Sequence, residues 1–423
     1  MAIIVWYRGK DLRTADLAPL AQAGAEAVPV FAGFAGARLR PWLGDLASRL
    51  EALGSGLGHL PEDPVEALPR LAERLGATAV HALALSEPSA RAEDSRLEAA
   101  LPCPLRLFPG ETLSEGLRTG EGGMFRVFTA FHGAFQRRAL LSRPGPAPER
   151  LEPLPADLPR WTAGALLPDR LEPFLEDGLA AYAEARDRLD RDGTSGLSTA
   201  LHFGHVSAAQ AWAAASGRPG APAWQRQLVW RDFAHHLLRE WPGLLEGPFQ
   251  PGFTGFPWRD DPEAFRAWAE GRTGYPVVDA AARELLATGR VHNRARMVAA
   301  SFLAKHLLVD YRLGEAHYMA HLEDADVPNN SMGWQWSAGC GCDAQPWFRV
   351  FNPVAQGERF DPEGTYVRRW VPELGRLPAK AVHRPWEAGG VPGYPAPIVD
   401  HAFARARFLA EAKRHLARNL TKY

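Results

Sequence analysis

A chain of 423 residues has the length for two domains, and 46% hydrophobic with 23% charged residues is ordinary globular composition with enough apolar content for a substantial core. A net charge of −1 excludes indiscriminate binding to polyanions but leaves room for a local basic groove, because charge distribution rather than its sum steers ligands. Three cysteines, Cys103, Cys340 and Cys342, exclude a disulfide framework and, with no second pair to match Cys340 and Cys342, a zinc site; they point to a reducing compartment.

The N-terminus "MAIIVWYRGKDLR" meets an arginine too early for a signal peptide, and no apolar run reaches the 18 residues of a membrane span. The runs "AIIVWY", "AVPVFAGF", "ATAVHALAL" and "PLRLFP" predict buried strands. Between them "RPWLGDLASRLEALG" and "VEALPRLAERLG" predict amphipathic helices ending at glycine. Strand and helix in alternation indicate an α/β fold with a Rossmann-like parallel sheet. No G-x-G-x-x-G follows the first strand, so a dinucleotide site there is not supported.

From Ser142 to Pro173 the chain is dense in proline, as in "SRPGPAPERLEPLPADLP", which predicts a crossover without regular elements. Beyond Phe174 helical periodicity takes over. The expected organisation is an α/β domain over 1–125, a linker over 126–173 and an all-helical domain over 174–423.

In the helical part, "DGTSGLS" sets the hydroxyls of Thr194, Ser195 and Ser198 in a turn ahead of a helix, as a phosphate cradle or a plain N-cap. "WQRQLVWRDFAHHLLREW" spaces Trp224, Gln227 and Arg231 onto one helix face, with Trp230 nearby. The common alternative is an aromatic core stripe, but such a stripe does not normally carry Gln and Arg on the same face. "VHNRARM" offers Asn293, Arg294, Arg296 and Met297; its two arginines point in different directions, one outward toward a phosphate and one inward. The alternative is a solvated charge run.

"DADVPNNSMGWQWSAGCGCDAQPWFRVFNP", Asp324 to Pro353, combines paired acids, Asn329 and Asn330, and Trp334, Trp336 and Trp347. No nearby His or third carboxylate completes a metal shell, so Asp324 and Asp326 are read as acceptors for a ring N–H or a ribose hydroxyl. Trp334 and Trp336 point apart whether the segment is extended or helical, roughly 200° on a helix. Trp347 and the two cysteines are read as structural, and Arg349 carries no assignment. Fourteen tryptophans make stacking and electron transfer roles to test.

These stretches, in order with "VWYRGKDLRTADLAPL", "EGRTGYPVVDAAARELLATG" and "FNPVAQGERFD", resemble the DNA photolyase/cryptochrome family over nearly the whole chain. The resemblance is strongest to bacterial class I enzymes that repair cyclobutane pyrimidine dimers. It implies FAD held in the helical domain and light-driven repair by electron transfer from excited reduced FAD to a flipped-out lesion. Tyr182 and the turn Thr194, Ser195, Gly196, Leu197, Ser198 are implied to hold the phosphates and ribitol. Arg231, Arg296, Asp324, Ala325 and Asp326 are implied to line the cofactor, with Asn330 beside flavin N5. Trp230 and Trp336 resemble the aromatic walls of the lesion pocket, with Gln227, Asn293 and Met297 on the lesion side. Arg186, Arg294 and Gln356 match groups that meet flanking DNA. Trp258, Tyr311 and Trp334 match an electron relay to the cofactor.

Three positions depart from the family pattern. Gln227 stands where dimer-repair relatives usually have Glu, a trait shared with (6-4) photolyases, yet the histidines of that group are replaced by Asn293 and Met297. Tyr311 takes the middle place of a relay that normally uses three tryptophans, and Gly196 stands where Arg is common. Ser89 and Ala90 replace the Asn-Glu pair of folate-binding relatives, so no well-formed folate antenna site is expected; another antenna chromophore, or none, stays open. A cryptochrome-like sensor is the other alternative, disfavoured because the chain stops at "RHLARNLTKY" without a long tail. The resemblance further implies a cytoplasmic monomer with access to the nucleoid and damaged DNA as partner.

Overall fold

The computed structural model describes residues 2–139, 141 and 143–420. Ser142, where the proline-dense segment begins, and 421–423 at the end of "RHLARNLTKY" lie outside them.

A parallel sheet of β1 (Ile3–Tyr7), β2 (Ala27–Ala32), β3 (Gly58–Leu60), β4 (Ala79–Leu83) and β5 (Leu105–Phe108) runs in the order β3-β2-β1-β4-β5. Helices α1 (Ala18–Ala23), α2 (Arg40–Ala52), α3 (Pro64–Leu75) and α4 (Pro88–Ala100) make the crossovers, and the winding reverses between β1 and β4. β1, β2 and β4 are apolar on both faces because both are covered, whereas β5, expected to be buried, is an edge strand with Arg106 and Leu107 exposed. Ile4 and Trp6 join Val30 and Leu68 in one core, while Val5 and Tyr7 join Phe31 and Leu46 in the other. β3 has no signature in the sequence: three residues are too few for a period. Its Gly58 is needed because a Cβ there would lie 2.7 Å from Leu158 and 2.9 Å from Val30.

The interval 126–173 differs from the expected linker. It contains α5 (Phe128–Arg138), and its proline-dense part forms little more than α6 (Leu171–Pro173) and an isolated bridge between Arg160 and Gly58. Yet Leu151, Leu154 and Leu158 are buried, and Leu151 N, Trp161 N and Gly164 N donate to Leu53 O at 2.8 Å, Leu57 O at 2.7 Å and Gly44 O at 2.9 Å. Proline removes donors and breaks a ladder, but it does not prevent leucines between prolines from being buried.

The chain folds into two compact units, Met1–Ala180 with Ser195–Glu240, and Ala181–Thr194 with Trp241–Tyr423. After α7 (Tyr182–Ala185) in the second unit, α8 (Ser198–His202), α9 (Ala208–Ala215) and α10 (Ala221–Glu240) therefore group with the sheet, not with the later helices. Buried polar anchors explain why. Asp232 accepts from Leu113 N at 3.0 Å and Ser114 N at 2.9 Å, and Ser86 Oγ lies 2.8 Å from His235 Nδ1. Burial alone would push the Glu111 carboxyl up, but His235, Lys10 and Arg231 around it bring it down to about 2. That keeps an ionised anchor under α10.

The second unit is helical: α11 (Pro262–Ala269), α12 (Pro276–Thr288), α13 (Asn293–Ser301) running into a π-helical turn (Phe302–His306), α14 (Tyr311–His321), α15 (Val327–Ala338), α16 (Pro353–Phe360), α17 (Thr365–Trp370), α18 (Ala379–Val382) and α19 (His401–Leu420). Side chains of Asp261, His292, Asp310, Asp326 and Asn352 cap five of these helices, each satisfying orphan N–H groups of a first turn. Val278, Val298, Phe302, Trp334 and Phe408 lie in its core.

Lys305, fully buried in the π-helical turn, donates from Nζ to Arg349 O at 2.9 Å. Burial pushes its ammonium down to about 7. Its folded pKa lies below the unfolded one, so between the two the unfolded chain binds more protons and this group's contribution to stability rises with pH. Lys305→Met is expected to remove that rise, up to about 1.4 kcal/mol per pH unit between pH 7 and 9. Urea unfolding of both proteins at the two pH values measures it, and identical pH slopes would refute it.

Candidate functional site

Helix α10, in the first unit, carries Gln227, Trp230 and Arg231. Trp224, expected on their face, is instead core: it is 3% exposed, its ring centroid 5.2 Å from that of Phe174. Gln227 is half-buried and, among the described residues, makes only a long 3.4 Å bond back to Ala223 O, so its amide is poorly satisfied by the helix itself. Arg231 Nη1 donates to Glu111 O at 2.7 Å, which aims the guanidinium. Trp230 is half-buried, its ring parallel to Phe128 with centroids 3.6 Å apart.

The turn ahead of α8 exposes Thr194 and Ser198 and half-buries Ser195 and Gly196, while Leu197 is packed inward. The residue in the cap position is Leu197, without a side-chain cap bond, so the plain hydroxyl N-cap is not what these side chains form. Gly196 adopts φ +61°, a left-handed conformation that glycine takes without strain and a side chain does not. Thr199 Oγ1, one residue beyond the turn, is buried without a partner among the described residues.

In the second unit, α13, α14 and α15 converge on an amide–guanidinium pair. Arg296 Nη2 donates to Asn330 Oδ1 at 2.7 Å, and Asn330 Nδ2 donates to Glu315 O at 3.0 Å. The Arg296 guanidinium also lies 5.4 Å from the centre of the Tyr318 ring. Asn330 is 1% exposed, and one of its two amide hydrogens remains beyond the bond to Glu315. Glu315 and Tyr318 were not singled out from sequence; they come from a helix whose pattern signals only amphipathicity.

Arg294 turns away from Arg296, as the spacing predicts, to an ion pair with Asp187 at 2.9 Å and a stack 4.4 Å from the Phe360 ring. It is therefore not a bare cation. Arg186 is half-buried 5.5 Å from the Tyr182 ring, and Gln356 buries Oε1 without a partner among the described residues. Asn293 is exposed, its Nδ2 3.6 Å from Met297 Sδ.

Asp326 has a structural role that the sequence reading did not give it: it caps α15, accepting from Asn329 N at 3.1 Å and Asn329 Nδ2 at 2.7 Å. Asp324 and Ala325 are half-buried just before it. Gln335, between the two tryptophans of "GWQW", is the anchor of this helix. It is fully buried, donates to Leu244 O and Gly247 O at 2.9 Å each, and accepts from Phe249 N at 2.9 Å. With α15 fixed this way Trp334 is 1% exposed and Trp336 half-buried on another side. Gly314 makes the inward site, since a Cβ there would collide with the Trp334 ring.

Trp258 and Tyr311 meet edge to face with centroids 6.1 Å apart. Trp334 is ringed by Tyr318 at 5.1 Å and Trp268 at 5.8 Å. Burial, then the nearby Cys340 thiol, pushes the Tyr311 phenol up, so its proton is held tightly. Ser89 and Ala90 fall in the first turn of α4, where Ala90 O accepts from Arg8 Nη2 at 3.2 Å. Among the described residues there is no His/Cys/Asp/Glu group that would hold a metal and no helix long and apolar enough to cross a membrane.

The donor set fits a flavin dinucleotide. In the second unit the cationic and neutral donors Arg296 and Asn330 suit a ring system that gains negative charge on reduction. In the first, Thr199 Oγ1, without a partner among the described residues, lies beside a turn of hydroxyls suited to phosphates.

Comparison with known proteins agrees over the full length. Residues 224–414 match the model of the FAD binding domain of DNA photolyase, and residues 3–151 match that of DNA photolyase. The chain is similar to a deoxyribodipyrimidine photo-lyase of Thermus thermophilus, 41% identical over 98% of this chain and 99% of that one. It is similar to that of Agrobacterium fabrum, 39% identical over 96% and 97%. The crystal structure of a bacterial class III photolyase from Agrobacterium tumefaciens matches with a TM-score of 0.90 and 37% identity, covering 99% of this chain and 98% of that one. The chain belongs to the DNA photolyase family.

Proposed function

We propose that this protein is a light-driven deoxyribodipyrimidine photo-lyase that repairs cyclobutane pyrimidine dimers in DNA. The observation that carries the reading is the Arg296–Asn330–Glu315 arrangement. Arg296 holds Oδ1 of Asn330 and Glu315 O holds one Nδ2 hydrogen, so the amide is locked with a neutral donor, not a carboxylate, to offer. A neutral donor favours a reduced, negatively charged flavin, the state repair needs. The chemistry supplied by bound FAD is donation of one electron to the dimer under blue or near-UV light and its recovery once the cyclobutane bonds have split.

The chain's own residues do the rest. Arg231, Arg296, Asp324, Ala325, Asp326 and Asn330 line the cofactor, and Tyr182 with the Thr194–Ser198 turn binds its phosphates and ribitol. Trp230 and Trp336 stack on the flipped-out lesion, whose extrusion costs least at an already distorted step. Gln227 hydrogen-bonds the pyrimidine edge, with Asn293 and Met297 beside it. Arg186, Arg294 and Gln356 meet the flanking backbone, which gives affinity without sequence preference. Asp187 must release Arg294, or share it, for that contact. Trp334 passes electrons inward, refilled by Tyr311 and then Trp258; Tyr311 gives up its proton as it is oxidised. The protein acts as a monomer in the cytoplasm.

Repair of a thymine-dimer oligonucleotide by the reduced FAD-loaded protein under blue light tests the proposal. Light-dependent loss of the dimer is expected. Tight dimer binding with no such loss would favour a sensor, and repair confined to (6-4) lesions would favour the other enzyme class.

A further inference from the structure

Phe128 lies just over a hundred residues before Trp230 and is 1% exposed at the start of α5. The two rings are within 5° of parallel with centroids 3.6 Å apart, so one face of Trp230 is covered at contact distance. Trp230 is nevertheless half-buried, not buried, so its neighbours do not enclose the indole completely. A centred sandwich is not the arrangement that ring quadrupoles favour; offset and edge-to-face pairs are preferred. Something other than the pair imposes it. Phe128 is held edge-on by Phe233 at 5.9 Å and flanked by His132 at 5.5 Å, and the Arg226 guanidinium lies 4.8 Å from its ring. Phe233 also meets Trp230 edge to face at 5.9 Å. A cation beside the Phe128 ring draws on its π density and so reduces the repulsion between stacked faces.

We infer that Phe128 is a positioning residue for lesion recognition: it fixes the plane of Trp230 so that one face of the indole stands ready for a flipped-out base. The inference rests on the reading of Trp230 as a lesion wall. Phe128 touches neither lesion nor cofactor in this role; it acts through Trp230. A ring held in plane before binding loses no rotamer freedom when the base stacks, and that saving is confined to damaged DNA, because intact DNA presents no flipped base.

The test uses the full-length, FAD-loaded protein. Phe128→Leu, or Phe128→Met should the first not fold, keeps apolar volume and removes the stacking plane. Binding of a thymine-dimer duplex is expected to weaken roughly threefold to tenfold, in line with the cost of ordering one side chain. Affinity for the undamaged duplex and FAD content should stay unchanged. In a Trp230→Ala background the same change should add nothing for the dimer duplex, since the residue acts only through the indole. Three results would overturn the inference. Unchanged dimer affinity in the Phe128 variants while Trp230→Ala weakens it removes the positioning role and leaves the wall intact. Parallel loss of dimer affinity, intact-DNA affinity and FAD marks Phe128 as merely structural. Unchanged dimer affinity in Trp230→Ala itself removes the wall, and this inference with it.

Discussion

Trp230→Ala is expected to weaken binding of dimer-containing DNA by roughly tenfold to a hundredfold, the value of one base–aromatic stack, and to leave undamaged DNA almost untouched. The selectivity follows from where the ring sits. One face rests on Phe128 and the indole is half-buried, not buried, so the substitution removes a stacking surface while Phe128 and Phe233 remain to hold the helix pair together. Affinity for intact duplex comes from phosphate contacts, which depend on the cations and not on the indole. Competition binding with dimer and intact duplexes at one fixed salt concentration separates the two contributions. Equal loss for both DNAs, or loss for neither, would exclude a wall role for Trp230.

The second large effect concerns delivery of electrons to the cofactor. Trp334→Phe is expected to slow photoreduction of oxidised FAD by about tenfold or more, since each 1.4 kcal/mol added to a barrier is a factor of ten. Phenylalanine fills the buried site beside Gly314 and Tyr318 but is far harder to oxidise than indole. Repair by protein reduced chemically beforehand should be unchanged, because the relay is not part of bond cleavage. If Tyr311 follows Trp334 as proposed, wild-type photoreduction should itself depend on proton release, for burial holds the phenol above its ordinary range and an oxidised phenol sheds its proton. Flash photolysis in light and heavy water reads both expectations. Undiminished photoreduction in Trp334→Phe would show that electrons enter elsewhere.

Much of the fold was legible because it is written in local period and residue type. Apolar runs of strand length between helical patterns reported the parallel sheet, and the spacing in "VHNRARM" separated Arg294 from Arg296, which indeed take different partners. The helix of "NNSMGWQW" likewise put Trp334 and Trp336 in different environments. Where the reading differed from the structure, a local rule met a long-range contact. Proline density suggested a linker, yet Leu151, Leu154 and Leu158 are buried within that stretch. Helical character placed α10 with the later helices, while the anchors at Glu111, Ser86 and Ser114 group it with the sheet. Trp224 shared the spacing of Gln227 and Arg231 but is core.

By itself the sequence determined the two kinds of architecture, the order of the signature segments and the side-chain chemistry available: neutral Asn330, Gln227 in place of an acid, a tyrosine at the middle place of the proposed relay. Only the tertiary structure decided which of those side chains are held and by what. Gln335 reads as a spacer between two tryptophans until three backbone groups some ninety residues away engage it. Asp326 reads as half of an acidic pair until it caps its helix, and Phe128 reads as ordinary core until it covers one face of Trp230. The physical reason is common to all three. Period and propensity act over a few residues, but burial and hydrogen bonding are satisfied by whichever neighbours packing supplies, and those neighbours are chosen by the fold as a whole.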